Sequence, residues 1–167
     1  MHLCTARLYI RPFRHDDALF VLRLLNEPSF IENIADRGIR NVADARRYVR
    51  ETLTKHRAQG FGLCCVTLDD KQTSIGMVGL IKRDFLDDVD IGYALLPEFW
   101  AKGYAYEMSL AVLEYARATL QIAQLAAIVH PDNRASIGLL SKLGFAYERK
   151  LVYPPTGEML LLYARIL

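Results

Sequence analysis

The sequence predicts a single α/β domain built on a mixed, mostly antiparallel sheet that is flanked by helices. Three short β-rich segments, 61–68, 75–81 and 89–96, follow one another with brief polar connections, which is typical of an antiparallel meander. A strand, a helix and a second strand then succeed each other over 89–130, and this order indicates a crossover between two parallel strands. Because 167 residues suffice for one well-buried core, we assign residues 1–167 to one domain.

The remaining elements follow from helical periodicity and from residues that begin or end helices. Proline ends strands and helices because it donates no backbone hydrogen bond, and acidic residues favour a helix start. The predicted N-terminal elements are a strand at 8–10 before Pro12, a helix from Asp16 that Pro28 ends, a loop or short irregular helix at 29–40, and a helix at 44–59 before Gly60. The predicted C-terminal elements are a helix at 103–120, a strand at 122–130, a helix from Asn133, and a final pair of segments at 145–152 and 159–167.

The charge and hydropathy patterns exclude several classes of function. The net charge of +2, from 21 basic and 19 acidic residues, gives no general attraction to nucleic acid. Arginines are frequent in the N-terminal third, but acidic residues lie between them, which favours salt-bridged helix faces over an RNA-binding patch. The chain has no apolar run of about 18 residues and no secretory signal, so we expect a cytoplasmic protein without a membrane partner.

The cysteines favour reduced thiols over a disulfide framework or a metal site. Their number, three, is odd, and the adjacent Cys64 and Cys65 point to opposite faces of a predicted strand. We therefore expect Cys4, Cys64 and Cys65 to be free, and we expect no metal ion.

The segment 90–108, DIGYALLPEFWAKGYAYEM, offers a site for an anion. An apolar strand ends at Leu96, Pro97 blocks its continuation, and a short loop with Lys102 and Gly103 opens a helix. Unpaired backbone N–H groups and the positive end of the helix dipole attract negative charge at such a position. An ordinary loop start is the alternative, because neither GxxxxGK[ST] nor GxGxxG is present.

The segment 130–145, HPDNRASIGLLSKLGF, places polar side chains at another helix start. Pro131 ends a strand, Asp132 or Asn133 caps the next helix, and Ser136 lies one turn further on the same face as Asn133. From spacing alone, both side chains serve to satisfy free N–H groups, and a functional role is the alternative.

Together these segments resemble the Gcn5-related N-acetyltransferase (GNAT) superfamily over essentially the whole chain. The opening LYIRPFRHDDA is similar to the first strand and turn of the branch that includes the bacterial ribosomal-protein N-terminal acetyltransferases. IGYALLPEFWAKGYAYEM is similar to the acetyl-CoA segment of that branch. NRASIGLLSKLGF is similar to its Asn-x-x-Ser helix followed by Lys-x-Gly-Phe, and the order of elements also matches.

The resemblance implies that acetyl-CoA is the cosubstrate and lies where the sheet splays between the parallel strands 89–96 and 122–130. Pantetheine would pair with the backbone near Leu95 and Leu96, and the pyrophosphate would bind amides at the helix start. The implied cofactor-binding residues are Leu95, Leu96, Ala101, Lys102, Gly103, Tyr104, Ala105, Tyr106, Asn133, Ser136 and Lys142. Trp100 at the first motif position is usual in the branch, whereas Ala101 stands where glycine is common.

Acetyl transfer to an amine needs a neutral nucleophile, an oxyanion donor and a proton for the departing thiolate. Many members use a tyrosine of the last helix as the acid, but Leu140 occupies that position here, and the resemblance gives the role to Ser136. For a base, the resemblance indicates Asp90, unless the amine arrives deprotonated. The rival bases are Glu32, Glu158 and His130. Plain structural roles are the alternatives for Ser136, as a cap, and for Asp90, as a solvent-facing charge.

No motif identifies the acceptor. The branch indicates a protein N-terminal α-amine, whose pKa of about 8 makes it easier to deprotonate than a lysine. Small-molecule amines, amino acids and antibiotics stay open, as do a monomer or a homodimer. A non-catalytic acyl-CoA-binding or sensing domain and an RNA- or ribosome-binding module are the competing classes.

Overall fold

The computed structural model of the protein describes residues 1–70 and 72–167. Its strands are β1 (Leu3–Cys4), β2 (Leu8–Pro12), β3 (Leu63–Leu68), β4 (Ser74–Ile81), β5 (Val89–Leu95), β6 (Gln124–Val129), β7 (Ala146–Val152) and β8 (Met159–Ile166). Its helices are α1 (Ala18–Leu25), α2 (Pro28–Asn33), α3 (Val42–Gln59), α4 (Tyr104–Ala118) and α5 (Arg134–Lys142). Short 3-10 turns precede α1 at His15–Asp17 and follow β5 at Pro97–Phe99.

The strands form one eight-stranded sheet in the order β1-β2-β3-β4-β5-β6-β8-β7. Among the strands of residues 1–70 and 72–167, β5 and β6 alone are parallel, and their pairing is confined to Val89 with Leu125 and Asp90 with Ala126. Beyond these residues the two strands separate. The predicted mixed sheet, splayed at a central parallel pair, is therefore confirmed.

The sheet separates two apolar cores, and the adjacent cysteines lie on opposite sides of it. Cys64 belongs to the core under α4 and α5, and Cys65 to the core under α1 and α3. Both are fully buried and Cys4 is exposed, and all three are free thiols as predicted. Fully burying one large apolar side chain, such as Leu8 or Leu24, stabilises the fold by about 1.5–3 kcal/mol.

One element of the N-terminal part was not predicted, and a second takes one of its two predicted forms. The two-residue strand β1 was not predicted, because it is too short to show an alternating pattern. Helix α2 occupies the first part of the segment predicted as a loop or short irregular helix. Pro28, which was expected only to end α1, also begins α2, since its fixed φ and missing N–H suit a first helical position.

Several arginines of the N-terminal third pair with acidic residues that lie between them, which confirms the predicted salt bridges for this part of them. Arg40 contacts Asp36 at 2.5 Å and Arg47 contacts Asp44 at 2.7 Å on the surface. Of the described residues, no helix is both long and apolar enough to cross a membrane.

Candidate active site

The far half of β5 has an open edge because β6 turns away from it beyond residue 90. On the other edge, β5 stays bonded to β4 as far as Leu96, whose amide donates to the Ile75 carbonyl at 2.9 Å. Antiparallel pairing uses the backbone groups of alternate residues, so those of the residues between point to the opening. Beyond the pairing with β6, these residues are Tyr93 and Leu95.

Residues 101–106, which we call the amide loop, present free backbone N–H groups at the start of α4. None of these six amides donates a hydrogen bond within the described part of the chain, and the first backbone bond of the helix runs from Glu107 to Gly103 at 3.1 Å. Ala101 and Gly103 have positive φ values of 56° and 81°. Amides arranged in this way at a helix start form a binding place for an anion.

Two side chains attach the amide loop to the residues before it. The Trp100 Nε1 group donates to the Leu95 carbonyl at 2.9 Å, although the indole remains 48% exposed. The Lys102 Nζ group donates to the Glu98 carbonyl at 2.8 Å, which holds its charge close to the loop. Trp100 of the sequence motif thus has a structural role, because it ties the amide loop to the last residue of β5.

The predicted backbone contact of pantetheine at Leu96 is not supported. The Leu96 amide donates to Ile75, and its carbonyl accepts from the Phe99 amide at 3.0 Å. The Leu95 carbonyl is also occupied, by Trp100, whereas the Leu95 amide points to the open edge. Of the two predicted residues, Leu95 alone keeps a backbone group for a ligand.

Arg7 and Glu107 hold the start of α4 against the N-terminal strands. Glu107 accepts from the Arg7 guanidinium at 2.6 and 2.7 Å, from the Arg7 amide at 2.9 Å and from the Thr5 hydroxyl at 2.5 Å. Arg7 also donates to the Lys102 carbonyl at 2.9 Å and lies over the Tyr104 ring at 4.6 Å. The amide loop is therefore fixed to β1 and β2 from one side.

Ser136 and Tyr93 form a hydroxyl pair between β5 and α5. The Tyr93 phenol oxygen lies 2.7 Å from Ser136 Oγ. The helix cap comes from Asn133, whose Oδ1 accepts the backbone amide of Ser136 at 3.0 Å. The cap thus uses the backbone of Ser136 and leaves its hydroxyl for Tyr93, so the alternative of a capping serine side chain is not supported.

Asp90 is buried in an ion pair at the point where β5 and β6 still touch. Its side chain is 2% exposed, and Oδ2 accepts from Arg83 Nε at 2.6 Å. Burial raises the pKa of Asp90 to about 6, although Arg83 and, more weakly, the Ile128 amide lower it. Oδ1 makes no hydrogen bond to any described residue. A base role for Asp90 stays a prediction, and this placement favours a structural role.

The raised pKa of Asp90 predicts a pH dependence of stability. Between about pH 4 and pH 6 the folded protein keeps a proton that the unfolded chain has released, so this residue's contribution falls as the pH rises through that range. We expect the free energy of unfolding, taken as wild type minus Asp90→Asn, to drop by on the order of 2–3 kcal/mol from pH 4 to pH 6.5. Denaturant titrations across this range measure it.

Asp84→Asn is the matched control, because Asp84 is an exposed carboxylate close to Arg83 on the loop before β5. A slope that appears in the Asp84→Asn difference curve as well would come from the loss of any carboxylate and not from the burial of Asp90. A difference curve for Asp90→Asn that rises with pH would show that Arg83 outweighs burial and lowers the pKa of Asp90.

Comparison with known proteins decides the family. The protein-family model of the acetyltransferase (GNAT) domain matches residues 7–146, which include β2, the amide loop and the Tyr93–Ser136 pair. This chain belongs to the GNAT superfamily. The family predicted from the sequence motifs is thereby confirmed.

Relatives of this GNAT protein align with most of its length. An uncharacterized N-acetyltransferase of Bacillus subtilis, YnaD, is 28% identical and aligns with 89% of this chain and 84% of its own. The crystal structure of a GNAT-family acetyltransferase from Bacillus anthracis has the same fold, with a TM-score of 0.84, 23% identity and coverage of 99% and 98% of the two chains. RimL, a ribosomal L7/L12 α-N-protein acetyltransferase solved with coenzyme A, has the same fold with a TM-score of 0.85. It is 17% identical, and the match covers 100% of this chain and 98% of RimL.

The residues of this GNAT protein fit the acetyl-CoA that the family implies. The open edge of β5 supplies unpaired backbone groups, which an amide-containing pantetheine arm requires. The amide loop supplies N–H donors for a pyrophosphate, and Gly103 has the positive φ that allows this turn.

The remaining residues singled out in the sequence lie on α5, on α2 and near the ends of β6 and β7. Lys142 is the last residue of α5, six residues or about 9 Å along the helix from Ser136, and it is exposed. Leu140 is buried in the core, as its apolar side chain requires. The rival bases occupy the following places. Glu32 is exposed on α2, Glu158 is exposed and accepts from the Thr156 hydroxyl at 2.9 Å, and His130 follows β6 beside Asp132.

Sequence reasoning missed Tyr93, Arg83 and the Arg7–Glu107 pair. A signal existed for Tyr93, because it shares with Ile91 and Leu95 the strand face that the following helices cover. A buried phenol on such a face requires a hydrogen-bond partner. No comparable signal existed for Arg83, whose distance from Asp90 depends on how the loop between β4 and β5 folds.

The positive φ of Ala101 predicts a stabilising substitution. A side chain in the left-handed region destabilises the folded protein by about 1–2 kcal/mol, and glycine removes this strain. Glycine also makes the unfolded chain more flexible, which lowers stability by about 0.4–1 kcal/mol. We expect Ala101→Gly to gain about 0.5–1 kcal/mol and to raise Tm by about 1–4 °C in thermal unfolding. Gln121→Gly is the matched control, since Gln121 has a φ of 54° away from the amide loop. A lower Tm for Ala101→Gly alone contradicts this prediction.

Proposed function

We propose that this protein transfers the acetyl group of acetyl-CoA directly to a primary amine, and that the acceptor is the N-terminal α-amine of a protein. The observation that carries the proposal is the succession of the open edge of β5 and the amide loop, because it offers one continuous place for a pantetheine arm and its pyrophosphate. The Tyr93–Ser136 pair lies between β5 and α5, beside that edge.

The chemistry requires no covalent enzyme intermediate. The amine nitrogen attacks the thioester carbonyl carbon, and the C–S bond then breaks with its electron pair on sulfur. One proton leaves the nitrogen and one is taken up by the thiolate, so that amide and free coenzyme A result. The backbone amides at the open edge of β5 are donors for the oxyanion, and the Ser136 hydroxyl is a donor for the thiolate.

The buried thiols do not suit a nucleophilic role. Burial raises the pKa of Cys64 to about 12 and that of Cys65 to about 11, so neither forms a thiolate at neutral pH. Both lie on β3, with β4 between them and β5. We therefore expect direct attack by the amine.

The surroundings of Asp90 support an α-amine as the acceptor. Because this carboxylate is buried and paired with Arg83, an acceptor that supplies its own neutral form suits the site without needing Asp90 as a base. An α-amine, with a pKa of about 7.7–8.0, is about half neutral at pH 8, whereas a lysine, at about 10.4, is less than about 1% neutral. RimL, one of the proteins of the same fold, acetylates an α-amine according to its name.

A calorimetric titration with acetyl-CoA, followed by a thiol-release screen, tests the proposal. The acceptors are a lysine-free peptide with a free N-terminus, the same peptide with an acetylated N-terminus and one added lysine, and a panel of small amines. Binding together with thiol release on the first peptide is the expected result. Thiol release only with lysine or with small amines overturns the α-amine as the acceptor. Binding of acetyl-CoA without thiol release on any acceptor indicates a non-catalytic acyl-CoA-binding domain. Absence of binding overturns acetyl-CoA as the donor.

A further inference from the structure

We infer that Tyr93 is a positioning residue for acetyl transfer: its phenol donates a hydrogen bond to Ser136 Oγ and thereby directs the serine proton toward the leaving thiolate. The inference rests on the proposed function and deepens it. It assigns to β5 the tyrosine hydroxyl that the last helix lacks at Leu140.

The position of Tyr93 makes this contact possible. Tyr93 lies on the half of β5 from which β6 has separated, and Ser136 lies in the first turn of α5, which follows β6. The 2.7 Å contact therefore joins the two sides of the opening. Ser136 is the only hydrogen-bond partner of this phenol among residues 1–70 and 72–167.

The direction of the hydrogen bond follows from acidity. Either oxygen can donate in this geometry, and the phenol also lies 3.5 Å from the Ser136 carbonyl. The 2.7 Å contact to Oγ is much the shorter of the two, and a phenol, as a stronger acid than an alkyl hydroxyl, is the better donor. Burial raises the pKa of Tyr93 to about 12, with Ser136 lowering it and Asp90 raising it, so the phenol keeps its proton at neutral pH. Once Ser136 Oγ accepts from Tyr93, its own proton is free to point elsewhere.

The two contacts of Ser136 fix both its backbone and its hydroxyl. Asn133 Oδ1 holds the backbone amide at 3.0 Å, and Tyr93 holds Oγ at 2.7 Å. A donor that itself accepts a hydrogen bond is polarised and becomes stronger, because bonds in a chain reinforce one another. Tyr93 and Ser136 keep their own protons in this arrangement and stabilise the thiolate by hydrogen bonding alone. The proton that sulfur finally takes up is balanced by the one that the amine nitrogen releases, so no acid has to be regenerated.

A double-mutant cycle with Tyr93→Phe and Ser136→Ala tests the inference. We expect Tyr93→Phe to lower kcat about tenfold, which is the loss of one hydrogen bond, and to leave the Kd of acetyl-CoA within about twofold. In the Ser136→Ala background the same change is expected to have no further effect on kcat, because Tyr93 acts through Ser136. If Tyr93 had only a structural role, its loss would not lower kcat selectively over the affinity for acetyl-CoA, and its effect would not depend on Ser136.

The control is Tyr115→Phe, since Tyr115 is a partly buried tyrosine of α4 whose hydroxyl has no hydrogen-bond partner in the described chain. An unchanged kcat in Tyr93→Phe, or an equal loss in both backgrounds, overturns the inference. If thermal unfolding shows that Tyr93→Phe is destabilised, kcat is measured for all four proteins of the cycle below the Tm of the least stable one. Absence of binding or turnover in the wild type instead contradicts the proposed function, and the two failures are thus distinguishable.

Discussion

Gly103→Glu is expected to weaken acetyl-CoA binding at least about a hundredfold while the protein stays folded. Gly103 has a φ of 81°, and a Cβ at this position comes within 3.3 Å of the Arg7 guanidinium. The glutamate also brings a negative charge to the amides that would hold the pyrophosphate, and like charges repel strongly at short range. Calorimetric titration with acetyl-CoA measures the loss, and circular dichroism reports the fold.

Gly103→Ala separates strain from charge in this experiment. The alanine carries the same left-handed strain, of about 1–2 kcal/mol, without the carboxylate. We expect it to lower Tm about as much as the glutamate does, and to weaken binding far less. Equal losses of affinity in both variants would mean that loop geometry alone decides binding, and full affinity in Gly103→Glu would move the donor site elsewhere.

Ser136→Ala is expected to lower kcat by about a hundredfold or more, with the Kd of acetyl-CoA within about threefold of the wild type. The alanine keeps the backbone amide that Asn133 caps, so the helix start stays intact, and it removes only the hydroxyl that contacts Tyr93. Steady-state thiol release with saturating donor, together with calorimetry, measures both quantities.

Ser141→Ala is the matched control, because Ser141 is an exposed serine of the same helix. It is expected to leave kcat and Kd unchanged. A Ser136→Ala variant with full turnover removes the serine from the mechanism, and one that loses affinity as much as turnover assigns the serine to donor binding.

Local patterns were enough to predict most of the sheet and the amide loop. The alternating segments before residue 96 and the crossover after it determined the strand order around β5, and Gly103 marked the start of α4. Leu96 could not be judged in this way, because its two backbone groups are taken up by Ile75 and Phe99 only once the strand and the turn have formed.

Contacts between distant segments were beyond the reach of the sequence. Asp90 was expected at a solvent-facing strand start or beside the acceptor, and it is instead buried against Arg83. The Tyr93–Ser136 pair joins residues 43 positions apart, and the Arg7–Glu107 pair joins residues 100 positions apart. Spacing along the chain contains no information about such pairs, because they depend on how strands and helices pack.

The Arg7–Glu107 pair couples the stability of the first residues of the chain to that of the amide loop, where the donor would bind. If acetyl-CoA orders the amide loop, the same free energy tightens the pairing of β1 on β2, because coupling between two sites is reciprocal. A tag or peptide fused ahead of Met1 that disturbs this hairpin would then weaken the donor without touching it. Hydrogen exchange of the β1 and β2 amides with and without acetyl-CoA measures the coupling, and equal exchange in both states would show that the pair transmits nothing.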